Sequence, residues 1–351
     1  MRVDDFDFEL PASAIAAQPC EPRDAARLMV LDRASGSLAD HVFRELPDLL
    51  APGDLLVVND TRVQPWRLRG RRHSGGRIEV LLVERQGAAA RGFVKPARRL
   101  QAGERIELEE GAIVLTLGAE FGGGQFEFTL ECPATAGAES ASLDAALERV
   151  GRAPLPPYVS RDGDEDVAAD RARYQTVYAA RPGAIAAPTA GLHFTPALFE
   201  RLAARGVERA IVTLHVGIGT FAPVRVEAVD EHRMHHETYE LPAATADAVR
   251  RTRERGGRVV AVGTTSARVL ETCAAKERTV SAGAGATDLF LYPGRELQVV
   301  DALVTNFHLP RSTLLMLVAA FAGRQAVLDA YRAALARGYR FYSFGDAMLV
   351  L

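Results

Sequence analysis

Five apolar runs in this chain read as β-strands, and each ends in a short polar motif where the next element begins: NDTRV (59–63), PTAGLHF (188–194), HVGIGTF (215–221), GTTSAR (263–268) and TNFHLPRST (305–313). In open α/β sheets the carboxyl ends of parallel strands border the crevice where ligands bind, because the helices that follow direct their positive N-termini there. The chemistry of this chain is therefore expected where these loops converge.

The texture of the sequence changes twice. Residues 1–60 read as mixed structure, with RLMVLD (27–32) and DLLVVN (54–59) as strands. From about 64 to 150, short and partly alternating runs separated by Gly-rich turns predict a small antiparallel β-domain, a barrel. SLDAALERVG (142–151) predicts a Ser-capped helix, and the prolines and acidic run of 152–166 predict a linker. From residue 182 strands and helices alternate. GAIAAP, ERAIVTLHV, RVVAVG, LFLY and VVDALVTNF are the strands; helices start after Thr195, over 241–257, at 266–275, after Ser312 and near 324–337. The expected fold is a layered α/β main domain, residues 1–63 and 152–351, with a small antiparallel β-barrel domain inserted at 64–151.

The 351 residues are enough for about two domains. No apolar stretch reaches the ~20 residues of a membrane span, and the acidic MRVDDFDFEL start lacks a signal-peptide apolar region, so a cytoplasmic protein is expected. Cys20, Cys132 and Cys273 are too scattered for a disulfide framework or a zinc knuckle. The net charge of −3 argues against indiscriminate nucleic-acid binding. Yet Arg62, Arg67, Arg69, Arg71, Arg72 and Arg77 lie between Asp60 and Glu79 with no carboxylate among them. Such a stretch can clamp phosphates, or it can be a solvated hairpin surface.

Several motifs can carry chemistry. GIGTFA (217–222) fits G-x-G-x-x-A, but Pro223 and the β-branched residues beyond it make a poor helix start, which favours close backbone approach to a ligand over a dinucleotide fold. EHRMHHE (231–237) invites a metal reading, yet it holds no HExxH and its spacing specifies no further ligands. His193, His215 and His308 sit in strand-end loops, where imidazole can exchange protons near neutral pH or simply satisfy a packing role. GTTSAR joins Thr264, Thr265 and Arg268 at a helix start, a receptor for carboxylate or phosphate or else plain capping. RYQTVYA (173–179) offers Gln175 between two tyrosines, suited to a purine edge or to the core.

In this order, GDLLVVNDTRV, SGGRIEVLLVER, PLPPY, YQTVYA, RPGAIAAPTAGLHF, VTLHVGIGTFAPVRV, EHRMHHE, AVGTTSARVLE, VVDALVTNFHLPRSTLLMLVAAFAG and FYSFGDAM resemble the S-adenosylmethionine:tRNA ribosyltransferase-isomerase family of queuosine synthesis. Trp66 and the stretch 86–150 follow the family pattern least. The resemblance implies an α/β domain with an inserted β-barrel. It also implies transfer of the ribosyl group of S-adenosylmethionine to the aminomethyl group of a 7-deazaguanine at the tRNA wobble position. The sugar rearranges to an epoxycyclopentanediol, and adenine and methionine leave. S-adenosylmethionine is then a substrate, and no resident cofactor or metal is expected. The partners expected are tRNA and the donor, with no membrane, for a monomeric enzyme.

This reaction needs a base for the carbon acid beside the sulfonium and an acid for adenine departure. His193 and His215 are the expected proton-transfer groups. Thr264, Thr265 and Arg268 are expected to take the methionine carboxylate, and Asn59, Asp60, Arg62, Gln175, Thr189, Asn306 and His308 to line the substrate. Arg67, Arg69, Arg71 and Arg72 are the expected RNA contacts. A metal-dependent hydrolase and a non-catalytic RNA-binding protein are the competing classes, and product identity separates them.

Overall fold

The computed structural model describes residues 1–133, 142–156, 158–159, 167–217, 219 and 224–351. The chain forms two compact units. One comprises Met1–Arg62, Pro157–Ser160 and Gln175–Leu351; the other comprises Val63–Pro156 and Arg161–Tyr174.

The first unit is built on a nine-stranded mixed sheet. Its strands are β1 (Arg27–Leu31), β2 (Leu38–Val42), β3 (Leu55–Asn59), β12 (Glu208–Leu214), β13 (Glu237–Leu241), β14 (Val259–Val262), β15 (Gly283–Thr287), β16 (Ala302–Asn306) and β17 (Ala347–Val350), in the order β15-β13-β12-β3-β14-β16-β17-β1-β2. The central run β12-β3-β14-β16 is parallel. β3, β14 and β16 are buried along their whole length, which explains why they read as continuous apolar runs. Alternate residues serve opposite faces: Leu55, Val57, Val259, Ala261 and Leu303 enter one apolar cluster, while Leu56, Val58, Val260, Val262 and Val304 enter the other. β4 (Thr61–Val63) and β11 (Arg181–Ala184) form a separate two-stranded ladder.

Helices cover both faces. α4 (Pro196–Ala204) packs into the second cluster with α1 (Leu46–Leu49); α5 (Ala243–Glu254), α6 (Gly263–Thr272), α7 (Thr313–Ala322) and α8 (Arg324–Ala336) serve the first. The capping expectations hold: Thr195 Oγ1 accepts from the Leu198 amide and Ser312 Oγ from that of Leu315, each at 3.2 Å. No single helix among the described residues is long and apolar enough to cross a membrane; α7 and α8 together reach that length, but they meet at 114°.

Three expectations change. α6 starts at Gly263 rather than Ser266, so Thr264 and Thr265 lie in its first turn. LFLY (289–292) joins no ladder; Phe290 and Leu291 are buried in irregular backbone, and the edge strand is the small-residue β15. A short apolar run announces burial but not a strand. GAIAAP is extended only as far as Ala184.

The second unit is a closed antiparallel barrel, β10-β7-β6-β5-β8-β9. Its strands are β5 (Arg67–Arg71), β6 (Arg77–Gln86), β7 (Ala89–Lys95), β8 (Arg105–Leu108), β9 (Ile113–Gly122) and β10 (Gln125–Glu131). Leu68, Val80, Leu82, Ile106, Leu115 and Phe128 fill the interior, joined by Leu147 of α2 (Leu143–Val150). A Cβ on Gly70 would stand 2.2 Å from the Glu107 carbonyl, so only glycine allows β5 and β8 to cross there. α3 (Val167–Arg173) belongs to this unit.

Candidate active site

In the first unit the loops after β14 and β16 meet segments 186–190 and 342–343 around a partly enclosed pocket. Thr189, Thr264, Thr265, Asn306 and His308 line it, so five of the eight expected substrate contacts outside the histidine pair and the arginines are gathered here with the sheet's carboxyl ends. Thr265 Oγ1 and Asn306 Oδ1 are buried without a hydrogen-bond partner. Desolvated polar groups left open cost stability, and a ligand that meets them recovers it.

Asn306 Nδ2 donates to the Tyr342 carbonyl at 3.0 Å, which orients the amide and leaves Oδ1 as its open acceptor. His308 is more of a brace: its Nε2 lies 2.8 Å from Thr305 Oγ1, its amide donates to the Tyr331 hydroxyl, and burial pushes its pKa down to about 3.

His193 ends a 3₁₀ turn, Thr189–His193, and its ring lies 4.9 Å from that of Phe43. Its Nε2 is buried without a partner. Burial pushes its pKa down to about 4, partly opposed by the Asp346 charge and by Asn306. It borders a smaller pocket with Cys20 and Arg23; Ser343 borders both pockets. His215 does not line the larger cavity, although its neighbour Val216 does. Its Nδ1 lies 2.8 Å from Thr61 Oγ1, and half-burial lowers its pKa against the opposing charge of Asp60.

Other expected contacts lie elsewhere. Asn59 holds β3 to β12: Nδ2 donates to the Leu214 carbonyl, and Oδ1 accepts from the Leu214 and Thr61 amides, all within 3.1 Å. Asp60 accepts from Thr213 Oγ1 at 2.6 Å. Arg268 is buried against Glu237 and donates to the Leu289 carbonyl, so it brings no guanidinium to the cavity. Its residue type suits a carboxylate, and the fold supplies an internal one. Arg62 is half-buried in β4, and the Gln175 carbonyl accepts from Arg23 at 2.6 Å.

The EHRMHHE run forms no metal centre: Glu237 turns to Arg268, His232 packs against Phe290, and no group of three His, Cys, Asp or Glu among the described residues could hold an ion. Most of GIGTFA lies outside the described residues. Sequence reading missed Tyr342 and Ser343. Tyr342 has φ of 75°, unusual for a bulky residue, and packs on Tyr158 at 4.4 Å, whose hydroxyl accepts from the Ser343 amide. The only signal for them was FYSFGDAM as a motif.

On the barrel, Arg67 pairs with Glu79 at 2.7 Å and Arg72 with Glu104 at 2.7 and 2.9 Å. Arg69 lies 3.9 Å from Glu79. The carboxylates absent from the arginine stretch thus arrive from β6 and the turn before β8. Arg71 faces Arg77 across the β5–β6 ladder, and both are exposed.

The family model described as queuosine biosynthesis protein matches residues 3–350. The chain belongs to the queuosine biosynthesis protein family. Its relatives in that family include the S-adenosylmethionine:tRNA ribosyltransferase-isomerases of Gloeobacter violaceus, 54% identical over 99% of this chain and 95% of the relative, and of Geobacter metallireducens, 51% identical over the whole of both. A crystal structure of S-adenosylmethionine tRNA ribosyltransferase from Thermotoga maritima, 40% identical, aligns with a TM-score of 0.56 over 99% of this chain and 100% of that one. The queuosine biosynthesis family resemblance read from the loop motifs therefore extends over nearly the full chain.

Proposed function

We propose that this enzyme transfers the ribosyl group of S-adenosylmethionine to 7-aminomethyl-7-deazaguanine in tRNA and isomerises it, giving epoxyqueuosine-tRNA with release of adenine and methionine. The observation that carries the reading to these residues is the strand-end cavity with its two open polar atoms, Thr265 Oγ1 and Asn306 Oδ1. The first turn of α6, with Thr264 and Thr265, receives the methionine carboxylate through its amides and hydroxyls, without the Arg268 guanidinium expected beside them. His193 and His215 are held below the ordinary imidazole pKa by burial and are therefore neutral at pH 7, the form that accepts a proton beside a sulfonium cation.

The finer parts of the proposal are the wobble base as target, a monomer as the working form and the cytoplasm as its place. RNA phosphates fall on Arg71, Arg77 and Lys95, which have no ion pair among the described residues and border one open groove of the barrel unit. Arg67 and Arg72 hold the barrel instead.

Incubation of the protein with S-adenosylmethionine and tRNA carrying the aminomethyl base, followed by mass spectrometry, tests the reaction. Adenine and methionine should appear in step with the modified nucleoside. Release of S-adenosylhomocysteine would instead mean methyl transfer, and an intact donor with folded protein and competent tRNA would overturn the proposal.

A further inference from the structure

The His215 ring is held by the ends of two strands and by a glycine. β3 and β12 run parallel with Val212 beside Asn59, and at their ends Asn59 Oδ1 accepts both the Thr61 and the Leu214 amides, so the residues that follow leave the sheet cross-tied. Thr61 Oγ1 then lies 2.8 Å from His215 Nδ1. A Cβ on Gly183 would stand 2.7 to 2.9 Å from Nδ1, Cε1 and Cγ, so that the ring rests directly on backbone.

The Thr61 bond has a direction. Thr61 is fully buried, and His215 Nδ1 is the one partner of its hydroxyl among the described residues. A hydroxyl has a single proton to place. If Nδ1–H donated to Oγ1, that proton would be stranded in a desolvated place with no acceptor; if the hydroxyl donates to Nδ1, both atoms are satisfied. A ring turned over would set a carbon against the hydroxyl and strand it as well. Nδ1 is therefore the acceptor, and in a neutral imidazole the proton is then on Nε2.

We propose that Thr61 is a positioning residue that fixes His215 as a hydrogen-bond donor through Nε2, so that His215 is not the base of the reaction. Nε2 has no partner among the described residues and is not one of the buried unpartnered atoms, which leaves it open to an incoming molecule. The next residue, Val216, lines the strand-end pocket. The charged groups that act on the ring are Asp60 and Arg181. Asp60 already accepts from Thr213 Oγ1 at 2.6 Å and Arg181 pairs with Glu240 at 3.2 Å, so neither displaces Thr61 from Nδ1. The tautomer stands on this geometry alone; its use in catalysis rests on the ribosyl-transfer reading. A neutral N–H fixed toward an electron-rich atom stabilises charge as it builds there, as on adenine when the glycosidic bond breaks and its electron pair passes to the base. No proton leaves the ring in this role. The two histidines thus divide the work, and acceptance of the proton beside the sulfonium falls to His193.

Nitrogen NMR of the histidine side chains in the full-length protein at neutral pH, with His215 assigned by the signals lost in His215→Gln, reads the tautomer. Protonated Nε2 and unprotonated Nδ1 are expected. Thr61→Val, which keeps the shape without the hydroxyl, should bring in a share of the Nδ1–H form and lower kcat for adenine release about tenfold, with KM for the donor changing far less; Thr61→Ser should restore both. The role is read separately. A glutamine amide can donate where Nε2–H did but is no base, so His215→Gln should keep at least about tenfold more kcat than His215→Ala. An Nδ1–H tautomer in the unaltered protein overturns the proposal even if no variant folds, and so does an unchanged tautomer in folded Thr61→Val. Equal loss in folded His215→Gln and His215→Ala overturns the donor role and returns His215 to the base. The expected tautomer without adenine release would leave the positioning by Thr61 intact and overturn the ribosyl-transfer reading instead.

Discussion

Glu237 of β13 and Arg268 of α6 form an ion pair whose side chains are 6% and 5% exposed, and the same carboxylate accepts the Gly217 amide at 2.8 Å. A guanidinium one turn into a strand-end helix has been drawn inward to tie the helix to the sheet. Removing one partner strands a buried charge, so Arg268→Met should lower unfolding free energy by about 3–5 kcal/mol, and Arg268→Met with Glu237→Leu should recover much of it. Urea denaturation measures both. Wild-type stability in Arg268→Met with a donor KM raised tenfold would return Arg268 to the substrate.

Thr265 sets stability against function. Its hydroxyl has no partner, so Thr265→Val should leave stability unchanged or slightly higher. The same change should raise KM for S-adenosylmethionine by roughly tenfold, about 1.4 kcal/mol, if the donor uses that hydroxyl. Thermal melts and steady-state kinetics on one preparation decide it.

Acid should destabilise the protein through its buried imidazoles. His193 and His308 are pushed down to about 4 and about 3, against about 6.5 for an unfolded histidine. Above that value both states are neutral and stability is flat. Below it the unfolded chain binds protons that the folded one refuses, so stability falls from about pH 6.5 toward pH 4, by roughly 1 kcal/mol per pH unit for each group. His308→Gln should show a shallower acid slope in denaturation at pH 7.5, 6 and 5. An unchanged slope would assign the acid sensitivity to other groups.

The barrel arginines should separate by role. Changing Arg71, Arg77 and Lys95 to Gln should reduce the slope of log affinity against log salt for tRNA by roughly 0.7–0.9 per lost contact. Arg72→Gln should instead loosen the barrel, since that guanidinium holds Glu104 through two nitrogens. Equal salt slopes before and after the triple change would remove the groove from the RNA surface.

Gly183 has φ of 149°, and a Cβ there would stand 2.7 Å from His215 Nδ1. Gly183→Ala should displace the imidazole from Thr61 and lower kcat at least about tenfold, measured by adenine release. Full activity would take His215 out of proton transfer.

Local rules carried the reading of this chain a long way. Apolar runs, Thr195 and Ser312 caps and the change of texture near residue 64 are consequences of backbone geometry and burial that act over a few residues, so the α/β core, the barrel and the strand-end loops were legible in order. Thr189, Thr264, Thr265 and Asn306, each picked from a strand-end motif, line one pocket. What no local pattern contains is the partner of a charge or a polar atom. Glu237 lies 31 residues from Arg268, Leu214 lies 155 from Asn59, and Glu104 lies 32 from Arg72; each partner turned an expected ligand group into a structural tie. Pairing energies depend on distances that only the folded chain sets. The sequence determined which groups could do chemistry, and tertiary packing decided which of them were left open to do it.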